Sequence, residues 1–252
     1  MHQAAQQGFT SESAAYSTGR PSYPLAIRQW LESAMDIGPG RNVIDLGAGT
    51  GKLTQMLHPA ASVIAVEPVA AMRAEFTKQL PDRQVVSGTA EAIPAPSASV
   101  DAVVCGQSFH WFANPGAVME IHRVLKPGGQ LGLIWNVRDE SVDWVAAITE
   151  ILTPFEGDAP RFHTGQWRTA LNSNLFTEVE EVRIGHTHTG TPQIVILDRF
   201  LSVSFIAALP PADKARVAQQ LRTLIEDHPA LRNRALVHFP YQTRAYRFQR
   251  VG

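Results

Sequence analysis

Val43-Ile44-Asp45-Leu46-Gly47-Ala48-Gly49-Thr50-Gly51 is a short apolar run, broken by one acid, that passes into a turn with glycine at every second position. Such a run reads as a buried strand, and the glycines mark a tight strand-to-helix turn whose bare backbone a ligand can approach closely. Three kinds of ligand compete for a turn of this type, and spacing separates them. A dinucleotide fingerprint starting at Gly47 needs glycine or alanine at position 52, where Lys52 stands. A phosphate-binding loop needs glycine at position 46 and Ser or Thr after Gly51-Lys52, where Leu46 and Leu53 stand. The pattern that remains is D-x-G-x-G-x-G from Asp45, a candidate nucleoside-binding turn whose alternative is a tight strand-to-helix turn with no ligand.

Working outward, apolar runs at Asn42–Leu46, Ser62–Val66, Gln84–Val86, Val100–Cys105 and Gln130–Trp135 are bounded by Gly, Pro, Asp or Ser and predict five strands. Helical stretches lie at Lys52–Leu57, Val69–Gln79 and Pro115–Leu125, and a helix starting near Pro24 precedes the first strand. This alternation predicts an α/β, doubly wound, mainly parallel sheet with helices on both faces. Beyond Asp139 the pattern turns helical, at Trp144–Leu152, Gln166–Leu171, Gln193–Ala208 and Ala212–Asp227, with strand-like stretches at Glu178–His188 and Leu236–Phe248. The expectation is a seven-stranded sheet in a single domain over 1–252. Its ligand-binding core covers about 1–140, a helical cap inserted between the last two strands falls within about 141–230, and the last strand lies in about 231–252. Pro240 in that strand suits an edge or a bend.

A chain of 252 residues, 44% hydrophobic and 18% charged, can bury a full core. The net charge of −1 supplies no overall positive field for nucleic acid or an anionic membrane, so neither is an expected partner. Residues 212–252 are locally basic, with eight Lys/Arg against three Asp/Glu, including Arg232, Arg234, Arg244 and Arg247. That excess is a solvated face or a patch for an acidic substrate or RNA. Cys105 is the only cysteine, which excludes an intramolecular disulfide framework and fits a reducing compartment. Met1–Gly8 lacks the layout of a secretion signal, and no apolar run reaches the roughly 20 residues of a membrane helix, so a soluble, cytoplasmic protein is expected. The oligomeric state stays open.

Further stretches accompany the glycine turn. Val63-Ile64-Ala65-Val66-Glu67-Pro68 places a carboxylate where ribose hydroxyls can donate to it, about 20 residues past the turn. Gly88-Thr89-Ala90-Glu91-Ala92-Ile93-Pro94, Gln107-Ser108-Phe109-His110-Trp111-Phe112, Ile121-His122-Arg123-Val124-Leu125-Lys126-Pro127-Gly128-Gly129 and Tyr16-Ser17-Thr18-Gly19-Arg20-Pro21-Ser22-Tyr23-Pro24 follow in register. Together, over residues 16 to 137, they resemble the small-molecule branch of class I S-adenosylmethionine-dependent methyltransferases, of the type 11-like kind. The resemblance implies a Rossmann-like methyltransferase fold, S-adenosyl-L-methionine as cofactor and a small-molecule substrate. It also implies that Asp45, Gly47, Ala48, Gly49, Thr50 and Gly51 cradle the cofactor and that Glu67 binds its ribose. Pro68 and Met72 would pack the adenine, Ala90 and Glu91 would read its amino edge, and Gln107 would flank the site. Arg20 would clamp the methionine carboxylate, and Tyr16 would lie near the sulfonium.

This cofactor carries its own electrophile, so the protein's main task is to align a nucleophile, an effect worth roughly 7–11 kcal/mol in favourable systems. A base is needed for a neutral hydroxyl or a protonated amine, and not for a carboxylate or thiolate. His110 is the best catalytic candidate, because it follows the fourth strand at the carboxyl ends of the strands, with His163, His186, His188 and His238 as alternatives. Beside Trp111 and Phe112 it reads equally well as a packed residue. No histidine pair combines with Cys105 and nearby acids into a metal site, and no metal is expected. The segment after the fourth strand lacks Asn-Pro-Pro-aromatic, the signature of many enzymes that methylate nucleobase or amide nitrogen. Oxygen is the favoured acceptor atom, with an RNA methyltransferase and a cofactor-binding protein without methyl transfer as alternatives. Ile194, Ile196, Leu197, Phe200, Leu201, Phe205 and Ile206 are either the lining of a substrate pocket in the cap or its core.

Overall fold

In the computed structural model, which describes residues 20–158, 160–172 and 174–252, the chain enters the fold at Pro24. Pro24 is extended (φ −65°, ψ 150°) and stands one residue outside α1 (Leu25–Ser33). Ile27, Trp30 and Leu31, at i, i+3 and i+4, form the buried stripe of this helix. Burying each such side chain contributes about 1.5–3 kcal/mol.

The elements then follow as β1 (Asn42–Leu46), β2 (Ser62–Val66), α2 (Ala70–Gln79), β3 (Gln84–Val86), β4 (Val100–Gly106), α3 (Pro115–Val124) and β5 (Leu125–Arg138). After them come α4 (Asp143–Leu152), β6 (Phe176–Gly190), α5 (Pro211–Asp227) and β7 (Val237–Arg250), with short helical turns at Gln193–Asp198, Arg199–Leu201 and Ser204–Ala207. The strands form one seven-stranded sheet in the order β3-β2-β1-β4-β5-β7-β6, and the first five pair in parallel. The reversal of order beside β1 places the ends of β1 and β4 at a topological switch point, where open α/β sheets bind ligands.

The described residues fall into two compact units. The larger comprises Tyr23–Asn136, Pro160–Ile184 and Thr243–Gly252, and carries α1, α2, α3 and the main length of the sheet. Its core gathers Ile27, Leu31, Val43, Val63, Val104, Ile134 and their neighbours. Cys105 is buried in β4, and burial, helped by the nearby Asp45, pushes its thiol well above the usual pKa. The second unit, 20–22, 137–158 and 185–242, contains α4, α5 and the helical turns. Its own core joins Trp144, Ile148, Ile196, Phe200, Ile206, Leu221 and Phe239.

Two sequence expectations change, and two open readings narrow. Lys52–Leu57 is only a single 3-10 turn at Thr54–Met56, since Pro59 disfavours helical backbone at His58 and nothing can propagate past it. Gln193–Ala208 is not one helix: Val203 turns extended (ψ 132°) and splits it. β7 lies between β5 and β6, so Pro240 does not mark an edge strand; its carbonyl accepts the Asp139 N–H at 3.2 Å. Phe200, Ile196 and Ile206 are core of the helical unit, fully buried, whereas Ile194, Leu201 and Phe205 are only partly covered.

Among the described residues no helix is long and apolar enough to cross a membrane, and no three His, Cys, Asp or Glu side chains stand together as metal ligands. Arg244 and Arg247 of the basic C-terminal stretch pair with Glu181 and Glu180 at 3.8 and 3.2 Å. Arg232 and Arg234 are exposed.

Candidate active site

β1 is buried along four of its five residues and delivers Asp45 and the glycine turn. Asp45 Oδ2 accepts the Thr54 hydroxyl at 2.6 Å, while Oδ1 is buried with no partner among the described residues. Burial, with the negative Glu67 adding to it, raises the Asp45 pKa to about 7 against the opposing hydrogen bond from Thr54.

The turn is anchored on β2: the N–H groups of Gly47 and Ala48 donate to the Val66 carbonyl at 2.8 and 3.2 Å. A Cβ on Gly47 would lie 2.7 Å from the Ser108 Cβ, and one on Gly51 would lie 2.6 Å from Leu80, so these positions let neighbouring elements close in. Gly49 differs. Its φ is +58°, yet a Cβ there would meet nothing within 4 Å, which leaves the backbone open on that side. Thr50 is buried.

Glu67, at the end of β2, is also buried. Its Oε2 accepts the Gly49 N–H at 2.9 Å and its Oε1 the Val69 N–H at 2.8 Å. Burial raises its pKa; the two N–H groups and the charge of Arg73 pull the other way. Arg73 itself donates to the carbonyls of Glu67 and Pro68, both at 2.8 Å, and so fixes the strand end. A carboxylate offers about four lone-pair sites, so both oxygens keep capacity for further donors.

Pro68 follows, partly exposed, and Met72 is buried on α2. Ala90 is buried, and Glu91 is exposed, accepting from Asn114 Nδ2 at 3.0 Å. Asn114 caps α3 through Oδ1, which accepts the Ala117 N–H at 3.0 Å. Partial burial is the largest single influence and would raise the Glu91 pKa, but hydrogen bonds from Asn114, Thr89 and the backbone together outweigh it and hold the carboxyl below its usual value. Gln107 holds a left-handed φ of +59°, donating its N–H to the Ile134 carbonyl at 2.9 Å and its Nε2 to the Asn136 carbonyl at 3.1 Å. Ser108 donates to the Leu46 carbonyl at 2.8 Å and locks the segment after β4 against the end of β1.

His110 lies in a 3-10 turn, Phe109–Trp111, against Trp111 (ring centroids 5.0 Å). The Trp135 indole N–H donates to its Nδ1 at 3.0 Å. Indole is a donor only, so Nδ1 accepts and the neutral imidazole carries its proton on Nε2. The ring's lone pair is spent on Trp135, and moving it to Nε2 would set two N–H groups against each other. Arg20 belongs to the helical unit, and Tyr16 lies outside the described residues.

The structure therefore brings together Asp45, Gly47–Gly51 and Glu67, with Ser108 beside them; Glu91 joins Asn114, and His110 joins Trp135. A family model of a methyltransferase domain matches residues 44–133. An uncharacterized methyltransferase of Mycobacterium tuberculosis is 39% identical over 236 residues, covering 93% of this chain and 92% of that protein. An uncharacterized methyltransferase-like protein of Schizosaccharomyces pombe is 35% identical over 241 residues, 94% of this chain and 93% of its own length. The chain belongs to the class I S-adenosylmethionine-dependent methyltransferase family. Solved structures share the fold of this methyltransferase. The YcgJ protein of Bacillus subtilis superposes with a TM-score of 0.58 at 16% identity, over 89% of this chain and 98% of that one. Geranyl diphosphate C-methyltransferase of Streptomyces coelicolor, solved with its ligand analogue and S-adenosylhomocysteine, gives 0.51 at 16% identity, over 90% and 76%.

The methyltransferase's residues fit the cofactor of the family: an open backbone at Gly49, spare lone pairs on Glu67, and an unmet oxygen on Asp45. Thr54, Arg73 and Trp135 escaped the sequence reading. Each acts through hydrogen bonds that neither periodicity nor spacing reveals.

Proposed function

We propose that this methyltransferase methylates an oxygen of a small-molecule acceptor, and that this oxygen is already anionic. The observation that supports this reading is the Trp135–His110 hydrogen bond, which occupies the lone pair on Nδ1 of the histidine after β4. With a carboxylate as nucleophile, no residue has to take a proton. His110 then acts as a donor from Nε2. Bound S-adenosylmethionine supplies a methyl group on positive sulfur. The backbone of Gly47–Gly51 and the carboxylate of Glu67 hold its ribose, Pro68 and Met72 pack the adenine, and Ala90 and Glu91 read the amino edge. Asp45 and Gln107 complete the cofactor side. The absence of Asn-Pro-Pro-aromatic after β4 supports oxygen over nucleobase nitrogen. The small-molecule ligand of the Streptomyces neighbour supports an acceptor of that size for this fold.

The test is a transfer assay of the full chain with methyl-labelled S-adenosylmethionine and matched carboxylic acids, phenols and amines. Label is expected in a product that mild base hydrolyses, as a methyl ester does. Label found only in phenyl ethers or methylated amines overturns the anionic-oxygen reading.

A further inference from the structure

Arg138 closes β5, and Arg199 opens a helical turn in the same unit. Their guanidinium carbons stand 5.6 and 5.2 Å from the centroid of one ring, that of the fully buried Phe200. Two cations over one buried ring repel each other, and side chains of this kind are seldom buried without partners. Burial first, and then the charge of Arg199, lowers the Arg138 pKa even though Glu140, Tyr241 and Glu156 act in its favour. Arg138 has a partial answer in Glu140, 3.6 Å away, but that carboxylate oxygen also accepts the Thr149 hydroxyl at 2.7 Å. Arg199 has less: its Nε and Nη1 are buried without an acceptor among the described residues. The Tyr241 hydroxyl, within the electrostatic reach of Arg138, is likewise buried and unpartnered.

Two cations therefore meet at one buried ring, with a neutral hydroxyl donor in reach of Arg138, where the protein supplies too few acceptors. A guanidinium fork matches a carboxylate or phosphate, two bonds at a time. We propose that Arg138, Arg199 and Tyr241 form an oxyanion-binding site for the carboxylate or phosphate group of a small ligand. The site stands on the helical unit alone and does not depend on the reading of the glycine turn.

Benzoate, phenyl phosphate and benzyl alcohol share a ring and differ in headgroup. With the full chain, calorimetry and the arginine Nε–H signals in NMR are expected to show binding of at least one anion, a shift of the Arg199 signal, and no response to the alcohol. The tighter anion names the headgroup. Arg199→Gln is expected to weaken that binding at least tenfold, with Arg199→Lys in between, while affinity for S-adenosylhomocysteine stays unchanged. Equal binding of the alcohol, no binding of either anion, or undiminished binding in Arg199→Gln overturns the proposal. If Arg199→Gln does not fold, an unshifted Arg199 signal in the native protein decides against it. Failure of the native protein to bind S-adenosylhomocysteine counts against the proposed function instead, and leaves the anion result intact.

Discussion

The Trp135 indole N–H points its hydrogen bond at His110 Nδ1, 3.0 Å away, joining the end of β5 to the turn after β4. A proton donor in that position decides which tautomer a neutral His110 adopts, and therefore what the ring can offer a substrate.

If His110 donates and does not remove a proton, a side chain that keeps an N–H can replace it. His110→Gln should retain kcat within about tenfold, whereas losing a general base typically costs 10²–10⁴-fold. Steady-state kinetics on an acceptor from the transfer assay check this. A hundredfold or larger loss in a variant that still binds S-adenosylhomocysteine would restore the base.

Glu67→Ala removes an acceptor from two backbone N–H groups, Gly49 and Val69, as well as from the ribose. Each unmet N–H costs about 1–3 kcal/mol. The variant should lose at least tenfold in affinity for S-adenosylhomocysteine and also melt at a lower temperature. Calorimetry with thermal denaturation measures both, and an unchanged melting point would mean that the turn does not hang on Glu67.

A methyl added at Gly49 has room, because nothing lies within 4 Å, and its cost to the fold is the left-handed φ, about 1–2 kcal/mol. Gly51→Ala would also press on Leu80 and Phe76. Gly49→Ala should therefore fold and lose cofactor affinity, and Gly51→Ala should lose stability first. If Gly49→Ala binds S-adenosylhomocysteine as the native protein does, the ligand approaches elsewhere.

Asp45 gives stability a pH dependence of defined sign. Its carboxyl titrates near 3.8 in the unfolded chain and at about 7 in the fold, so between these values the native state holds the extra proton. Stability from this group is present below about 3.8, falls as pH rises towards 7, and is flat above. Each unit of separation is worth about 1.4 kcal/mol. Asp45→Asn should flatten the decline of melting temperature between pH 5 and pH 8; parallel curves for the two proteins would refute the assignment.

The first four strands were legible because each is a short apolar run cut off by Gly, Pro, Asp or Ser, and Asn42–Leu46, Ser62–Val66 and Gln84–Val86 form with the expected bounds. β5 is longer than Gln130–Trp135, since it pairs with β4 again at Leu125 across a register shift that no periodicity announces. The role of Phe200 was not legible either. An apolar residue in a dense helix reads the same whether it faces a pocket or a core, and only the packing with Trp144, Ile148 and Phe239 separates the two. At the site, Asp45, Gly47–Gly51 and Glu67 were visible because backbone geometry demands those residue types at that spacing. The tautomer of His110 was not, for it depends on a tryptophan 25 positions away.

Cys105 turns the buried centre of the sheet into a clock. As the single sulfhydryl of the chain, fully covered in β4 and held in its unreactive protonated form, it meets a thiol reagent only when that strand is released. The rate of modification under native conditions thus reads the free energy of opening β4, without a probe added elsewhere.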